Sequence, residues 1–189
     1  MSKDLLVDSL IRRMKAVTIL YERATASMTV DQVNYVERDN VLPIAFSLYH
    51  IVNMIDFSLA VVSQTQMVIN DELKSRMKIS IDDHGKERTT DEMTNQRIGN
   101  YEAFIIYMNQ VFGKTLAYLE TLTVEELEKV IVPKPYPSTV ANTYSALVGG
   151  EEGITKLDAI ESWIYQHALR HMGEIEHARA LVGLKGMTS

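Results

Sequence analysis

Apolar residues recur at spacings of three and four through four long stretches of the chain, the signature of helices that bury one face. In the first, from about Lys3 to Met28, Leu6, Leu10, Met14, Val17 and Tyr21 fall on one side, while Arg12, Arg13, Glu22 and Arg23 fall elsewhere. The second, from about Asn40 to Ile69, is apolar on two sides. Ile44, Leu48, Ile51, Ile55, Leu59 and Val62 form one row, and Phe46, His50, Met54, Phe57 and Val61 form another beside it. Tyr49, Asn53 and Asp56 mark its more polar remainder, and Pro43 belongs to its first turn, where a missing N–H is tolerated. The third stretch covers about Thr94 to Thr121, with Ile98, Tyr101, Ile105, Met108, Phe112, Thr115 and Leu119 inward. The fourth covers about Thr155 to Val182, with Ile160, Ile164, His167, Ala168, His171 and Ile175 inward and Gly183 as its stop. A helix apolar on two faces touches two neighbours. The pattern therefore predicts an all-α four-helix bundle with no sheet, forming a single domain over residues 1–189.

Between these stretches the periodicity fails. Residues 70–93 are charged and irregular, and read as a long crossover between the second and third helices. Thr29 to Gln32 and Thr123 to Glu126 each read as a short capped turn. Residues 130–153 carry every proline but Pro43, together with the Gly149-Gly150 pair, and read as loop.

Charge and composition narrow the function classes. The net charge is -6 and no block of Lys and Arg stands out, so the footprint of a nucleic-acid binder is missing. The absence of cysteine excludes disulfides and thiolate metal sites and suits a reducing, cytoplasmic setting. The first residues carry charge at every turn and do not form a secretory signal. Val41 to Val62 is long and apolar enough for a membrane span. His50, Asn53 and Asp56 near its middle, with no flanking cluster of positive charge, make it a core helix instead.

The chemistry concentrates on three of the five histidines. His167 and His171 are four apart, so both project from one face of the last helix, one turn apart. His50 interrupts an apolar row on another helix. If those helices are neighbours, three imidazoles converge on one divalent cation and leave coordination positions open. The alternative is that each is a core histidine with a hydrogen-bonded ring, and spacing alone leaves both readings open. The pair is not the zinc-protease helix, because Ala168 stands where a glutamate base would follow the first histidine. A di-iron bundle needs two Glu-x-x-His pairs, and only Glu174 to His177 fits. Glu174, one turn beyond His171, orients a ligand histidine, binds the metal or acts as a base; alternatively it pairs with an arginine or faces solvent. Asn53 is a further candidate to support His50, Trp163 and Tyr165 flank the inward row, and His84 and His177 read as exposed.

The stretch from Tyr165 to Ile175, YQHALRHMGEI, and its continuation HARALVG from His177 to Gly183 resemble the last helix of the DinB/YfiT-like superfamily. The family's pattern of one histidine in the second helix and an H-x3-H pair in the fourth matches His50, His167 and His171, and Gly173 follows the pair as expected. The resemblance spans essentially the whole chain. It implies an up-down-down-up bundle, usually dimeric, with nickel or zinc at the three histidines. It also implies a metal-dependent transferase or isomerase that uses a low-molecular-weight thiol such as bacillithiol, mycothiol or glutathione; the alternative is a non-catalytic metal-binding or stress-response protein, and Glu174, on the face of His167 and His171, is the candidate catalytic group. The Pro- and Gly-rich segment 133–153 departs from the family's plain pattern and is expected to cover the metal or contact a partner.

Overall fold

A computed structural model describes residues 5–185; the expected helix start at Lys3 lies outside the described residues. Helix α1 (Leu5–Ala26) buries Leu10, Met14, Val17 and Tyr21 on one side, as its periodicity predicts. A short helix α2 (Val30–Asn34) follows, opened by a capping box between Thr29 and Gln32.

Helix α3 (Ile44–Ser63) is shorter than its apolar run suggests. Pro43 caps its start rather than entering the first turn, and Gln64 ends it in the left-handed region at φ 56°. The residues beyond are drawn to Asp56, whose carboxylate accepts from the backbone N–H of Val68 and of Ile69, both at 2.8 Å. The polar side of α3 is also not where its pattern suggests. Tyr49, Asn53 and Asp56 are buried, while Phe57 and Val61 are 47% and 44% exposed. Asp56 faces the next long helix, where the Tyr107 hydroxyl donates to it at 3.1 Å, so satisfied hydrogen bonds replace apolar contact on this side.

The crossover contains α4 (Asp71–Met77) and α5 (Thr90–Met93) and is pinned by a single bridge between Ile79 and Ile98. This pinning delays α6 (Tyr101–Leu119) beyond the expected start at Thr94. The backbone N–H and C=O of Ile98 are taken by the side chain of Asn34 at 2.8 and 2.9 Å, and the Asn100 side chain caps the helix. After α7 (Val124–Leu127), the β-branched run Val130-Ile131-Val132 forms strand β1 (Val130–Pro133), which pairs antiparallel with β2 (Gly153–Thr155). This ribbon corrects the expectation of no sheet. Between its strands lie α8 (Ser138–Ala141) and α9 (Tyr144–Val148). The last rod runs through α10 (Lys156–Ala159), a π-helical segment Ile160–Tyr165, and α11 (Gln166–Leu181), with Gly183 at φ 79° just past its end.

Contacts between the long helices fix their directions. Asp56 meets Tyr107 and the Val62 carbonyl meets Tyr118, so α3 and α6 run parallel, which only a long crossover allows. Ser47 meets Glu174 while His50 lies against His171, so α3 and α11 are antiparallel. Tyr21 meets Phe112 and Thr25 meets Tyr101, so α1 and α6 are antiparallel. Arg13 meets Glu161, Tyr21 meets Ala168 and Ala24 meets Arg179, so α1 and the last rod are parallel. The result is an up-down-down-up four-helix bundle with helices α1, α6, α3 and α11 in order around it. Among the described residues α3 alone is long and apolar enough to cross a membrane; its hydropathy is that of a helix buried between two neighbours.

Candidate metal centre

The antiparallel packing of α3 on α11 brings His50 to a pair of histidines more than a hundred residues further along the chain. His50, His167 and His171 each offer a ring nitrogen, and these atoms lie within 4.8 Å of one another. His167 Nε2 and His171 Nε2 face each other at 3.0 Å, as the one-turn spacing on a helix demands. The His50 ring stands edge-on to both, with centroids 5.5 Å from His167 and 4.7 Å from His171.

The opposite nitrogen of each ring is held. His50 Nδ1 donates to the backbone carbonyl of His84 in the crossover, and the Phe46 ring stacks on the His50 ring at 5.5 Å. His171 Nδ1 is 2.6 Å from Glu174 Oε2, and Ser47 Oγ donates to the same oxygen at 3.2 Å. The ring of His167 is hydrogen-bonded to the backbone of Trp163. Trp163 belongs to the π-helical segment, where the Gln166 N–H reaches back to the Glu161 carbonyl. Returning from that longer register to an ordinary helix leaves a carbonyl without a backbone donor, and π segments of this kind often occur at functional sites.

Burial favours the neutral forms of His50 and His167. His50 is lowered to about 4, chiefly by removal from water and against the opposing pull of the His84 carbonyl. His167 is lowered to about 3 by the same loss of water and then by the neighbouring His171 and His50. Glu174 is held below the usual carboxylate range, chiefly by its hydrogen bond with His171, so it is ionised and acts as an acceptor. His171 Nδ1 is committed to Glu174, and with both rings deprotonated at Nε2 the His167–His171 pair would present two lone pairs 3.0 Å apart. Two lone pairs at that distance repel unless a proton or a metal cation lies between them. The donor set therefore fits a divalent metal of the kind imidazole prefers.

Other residues singled out from sequence lie elsewhere. Asn53 turns away from His50 and donates to the Tyr107 hydroxyl at 3.4 Å, which places it in the Asp56 network. Tyr165 carries the Arg13 guanidinium over its ring at 5.0 Å. His177 is exposed, whereas His84 is half-buried and reaches the site through its backbone. Segment 133–153 packs against β2, α10 and the π segment, where Tyr144 and Val148 line a cavity of about 230 Å³ with Leu157, Asp158, Glu161, Ser162 and Gln166. The loop touching the histidines is the crossover instead. Neither the His84 carbonyl nor Ser47 was visible beforehand: a backbone acceptor leaves no mark in sequence, and Ser47 lies 127 positions from its partner.

Comparison with known proteins agrees with the fold. A conserved protein from Enterococcus faecalis has a similar structure, with a TM-score of 0.74 at 16% identity over 96% of this chain and 98% of that one. YfiT from Bacillus subtilis, described as a probable metal-dependent hydrolase with an unusual four-helix bundle topology, is similar with a TM-score of 0.58 at 17% identity over 98% of this chain and 91% of that one. No curated protein matches the sequence. The family model of the DinB superfamily matches residues 14–175, and the chain therefore belongs to that superfamily.

Proposed function

We propose that the chain is a metal-dependent enzyme that holds nickel or zinc through His50, His167 and His171 and uses a low-molecular-weight thiol as nucleophile. The observation that carries this reading is the convergence of three imidazoles within 4.8 Å of one another, with the Nδ1 atoms of His50 and His171 held by the His84 carbonyl and Glu174. A divalent cation held by these histidines would lower the pKa of a bound thiol and so supply a thiolate at neutral pH. Three protein donors, rather than the four of a closed structural site, favour an open position for it.

The chain's own residues orient and shield. Glu174 and Ser47 fix the His171 ring, and the Trp163 backbone fixes His167. Phe46 covers one face of His50 and keeps water from it. Glu174 is also the ionised carboxylate placed to take up the proton that the thiol releases, its side chain being 55% exposed. The small-molecule electrophile would approach from the open side of the cluster, with rate gained from positioning.

The test is consumption of several thiols with model electrophiles by metal-loaded protein and by its His167→Ala variant. Faster consumption by the wild type supports the proposal. Equal rates leave a non-catalytic metal-binding protein. The description of the YfiT structure favours a second reading, hydrolysis, in which water replaces the thiol. Turnover of ester or amide substrates without added thiol would select it.

We also propose a homodimer. Phe57 and Val61, one turn apart on α3, are each exposed by more than two-fifths, and Leu147 is 83% exposed. A self-complementary interface removes such surface from water. Light scattering is expected to report twice the 21.4 kDa chain mass; a value near 21.4 kDa at micromolar concentration overturns it.

A further inference from the structure

The crossover supplies one outer contact of the histidine cluster, and it does so through a tightly built turn. The Asp83 carboxylate accepts from the Gly85 N–H at 2.6 Å and from the Arg88 guanidinium at 2.6 and 3.1 Å, closing residues 83–88 on themselves. On the side leading into this turn, the Tyr49 hydroxyl donates to the Asp82 carbonyl at 3.0 Å. The buried Gln96 side chain takes both backbone groups of Ile81, at 2.8 and 2.9 Å. At its apex Gly85 adopts φ 75°, and a Cβ there would stand 2.7 Å from the Phe46 ring. That is the ring stacked on His50. Residue 84 is thus held with its carbonyl on His50 Nδ1 and its neighbour against the aromatic ring that backs His50.

We infer that the turn Asp82–Arg88 is a positioning element of the metal centre. The His84 carbonyl, fixed by Gly85 and by the Asp83–Arg88 clamp, locks His50 as the Nδ1–H tautomer with Nε2 aimed at His167 and His171. This rests on the metal reading above only for its consequence, not for the tautomer itself. A carbonyl accepts and never donates, so the hydrogen at Nδ1 is dictated and the lone pair must reside on Nε2. Four anchors spread over Tyr49, Gln96, Arg88 and the Phe46–Gly85 contact exceed what connecting two helices requires. They converge on His84, the crossover residue whose backbone carbonyl touches His50.

The experiment uses the full chain in two states. In the metal-free protein at neutral pH, long-range proton–nitrogen correlation spectra of the histidine rings report the tautomer directly. Wild-type His50 is expected to be entirely Nδ1–H. Gly85→Ala sets a side chain at positive φ against Phe46, and Arg88→Ala frees Asp83 while leaving the bundle core untouched. Both are expected to give a mixed or inverted His50 tautomer, with the His171 ring unchanged. In the metal-loaded state, competition with a chelator is expected to show affinity lower by roughly 10- to 100-fold in Gly85→Ala and by less in Arg88→Ala, at unchanged stoichiometry. The visible spectrum of the cobalt-substituted protein should shift in the same order. A wild-type tautomer together with wild-type affinity in folded Arg88→Ala and Gly85→Ala overturns the inference; should Gly85→Ala fail to fold, Arg88→Ala decides alone. Wild-type protein that takes up no metal overturns the proposed function, while the tautomer measurement still decides the role of the turn.

Discussion

His167 and His171 take their hydrogen-bond partners from their own rod: the Trp163 backbone four residues before one, and the Glu174 carboxylate three residues after the other. His50 takes its partner from a backbone carbonyl 34 residues further along the chain, on a loop with no helix to hold it. The first half of the cluster forms wherever the last rod forms, because the spacing of a helix sets the geometry. The second half forms only when the crossover has folded onto α3. A site built this way couples a rigid pair to a third ligand whose aim depends on tertiary structure. For an ion bound there, the pair would set where it sits, and the loop would decide how well the third nitrogen reaches it.

The sharpest break of this comparison is removal of a ligand from either half. His171→Ala and His50→Ala are both expected to lose stoichiometric metal, measured by elemental analysis of purified protein. Full retention by both would mean that the histidines are not the site. Removing a supporting group should cost less. Glu174→Gln keeps the shape beside His171 but takes away the charge that orients the ring, so metal affinity should fall by roughly 10- to 100-fold with the fold intact. An unchanged affinity would show that the pair needs no carboxylate and is even more self-sufficient than its geometry implies.

The same division explains what could be read beforehand. The four rods, the capped turns at Thr29 and Thr123, and the facing of His167 with His171 follow from local periodicity and were legible. The approach of His50 to the pair was legible only as a condition, that α3 and α11 be neighbours, and the up-down-down-up order came from family resemblance. The polar side of α3 misled because Tyr49, Asn53 and Asp56 look solvent-facing until Tyr107 and the chain after Gln64 are brought to them. The π segment leaves no trace in a pattern of apolar residues, since Ile160 and Ile164 are buried in either register. The ribbon of β1 and β2 was missed because three prolines and a Gly-Gly pair outweighed the short β-branched run.

A milder change tests whether the buried polar network of α3 belongs to the fold rather than to the metal. Tyr107→Phe removes the hydroxyl donor from the buried Asp56 and leaves that carboxylate with the two backbone N–H groups. Stability in urea should fall by about 1–3 kcal/mol, the usual consequence of depriving a buried polar group of one partner. Metal affinity should stay at the wild-type value, because the hydrogen bonds of Asn53 and Asp56 run to Tyr107 and to the backbone of Val68 and Ile69. A drop in affinity comparable to that of Glu174→Gln would put the network inside the site after all.

The last test is a dependence of metal-free stability on pH, and it draws one group from each half. His50 and His167 titrate near 4 and 3 in the folded chain, against about 6.5 when unfolded. Between those values the unfolded chain binds the proton and the folded chain does not, so the number of protons bound is greater in the unfolded state and stability rises with pH. The contribution of these burials is therefore fully present above about pH 6.5 and is lost as pH falls through the folded values. Each histidine adds a slope of at most about 1.4 kcal/mol per pH unit within that window. Thermal melts of the metal-free protein should be level above about pH 7 and decline below about 6.5. His50→Ala and His167→Ala should each remove part of the decline, and the double variant should remove both parts. Glu174 acts in a separate window, since its lowered folded value makes its contribution vanish only as pH falls below the ordinary carboxylate range. A decline of wild-type steepness in the double variant would show that neither half buries a neutral imidazole, and the contrast between a self-held pair and a loop-held third ligand would lose its electrostatic basis.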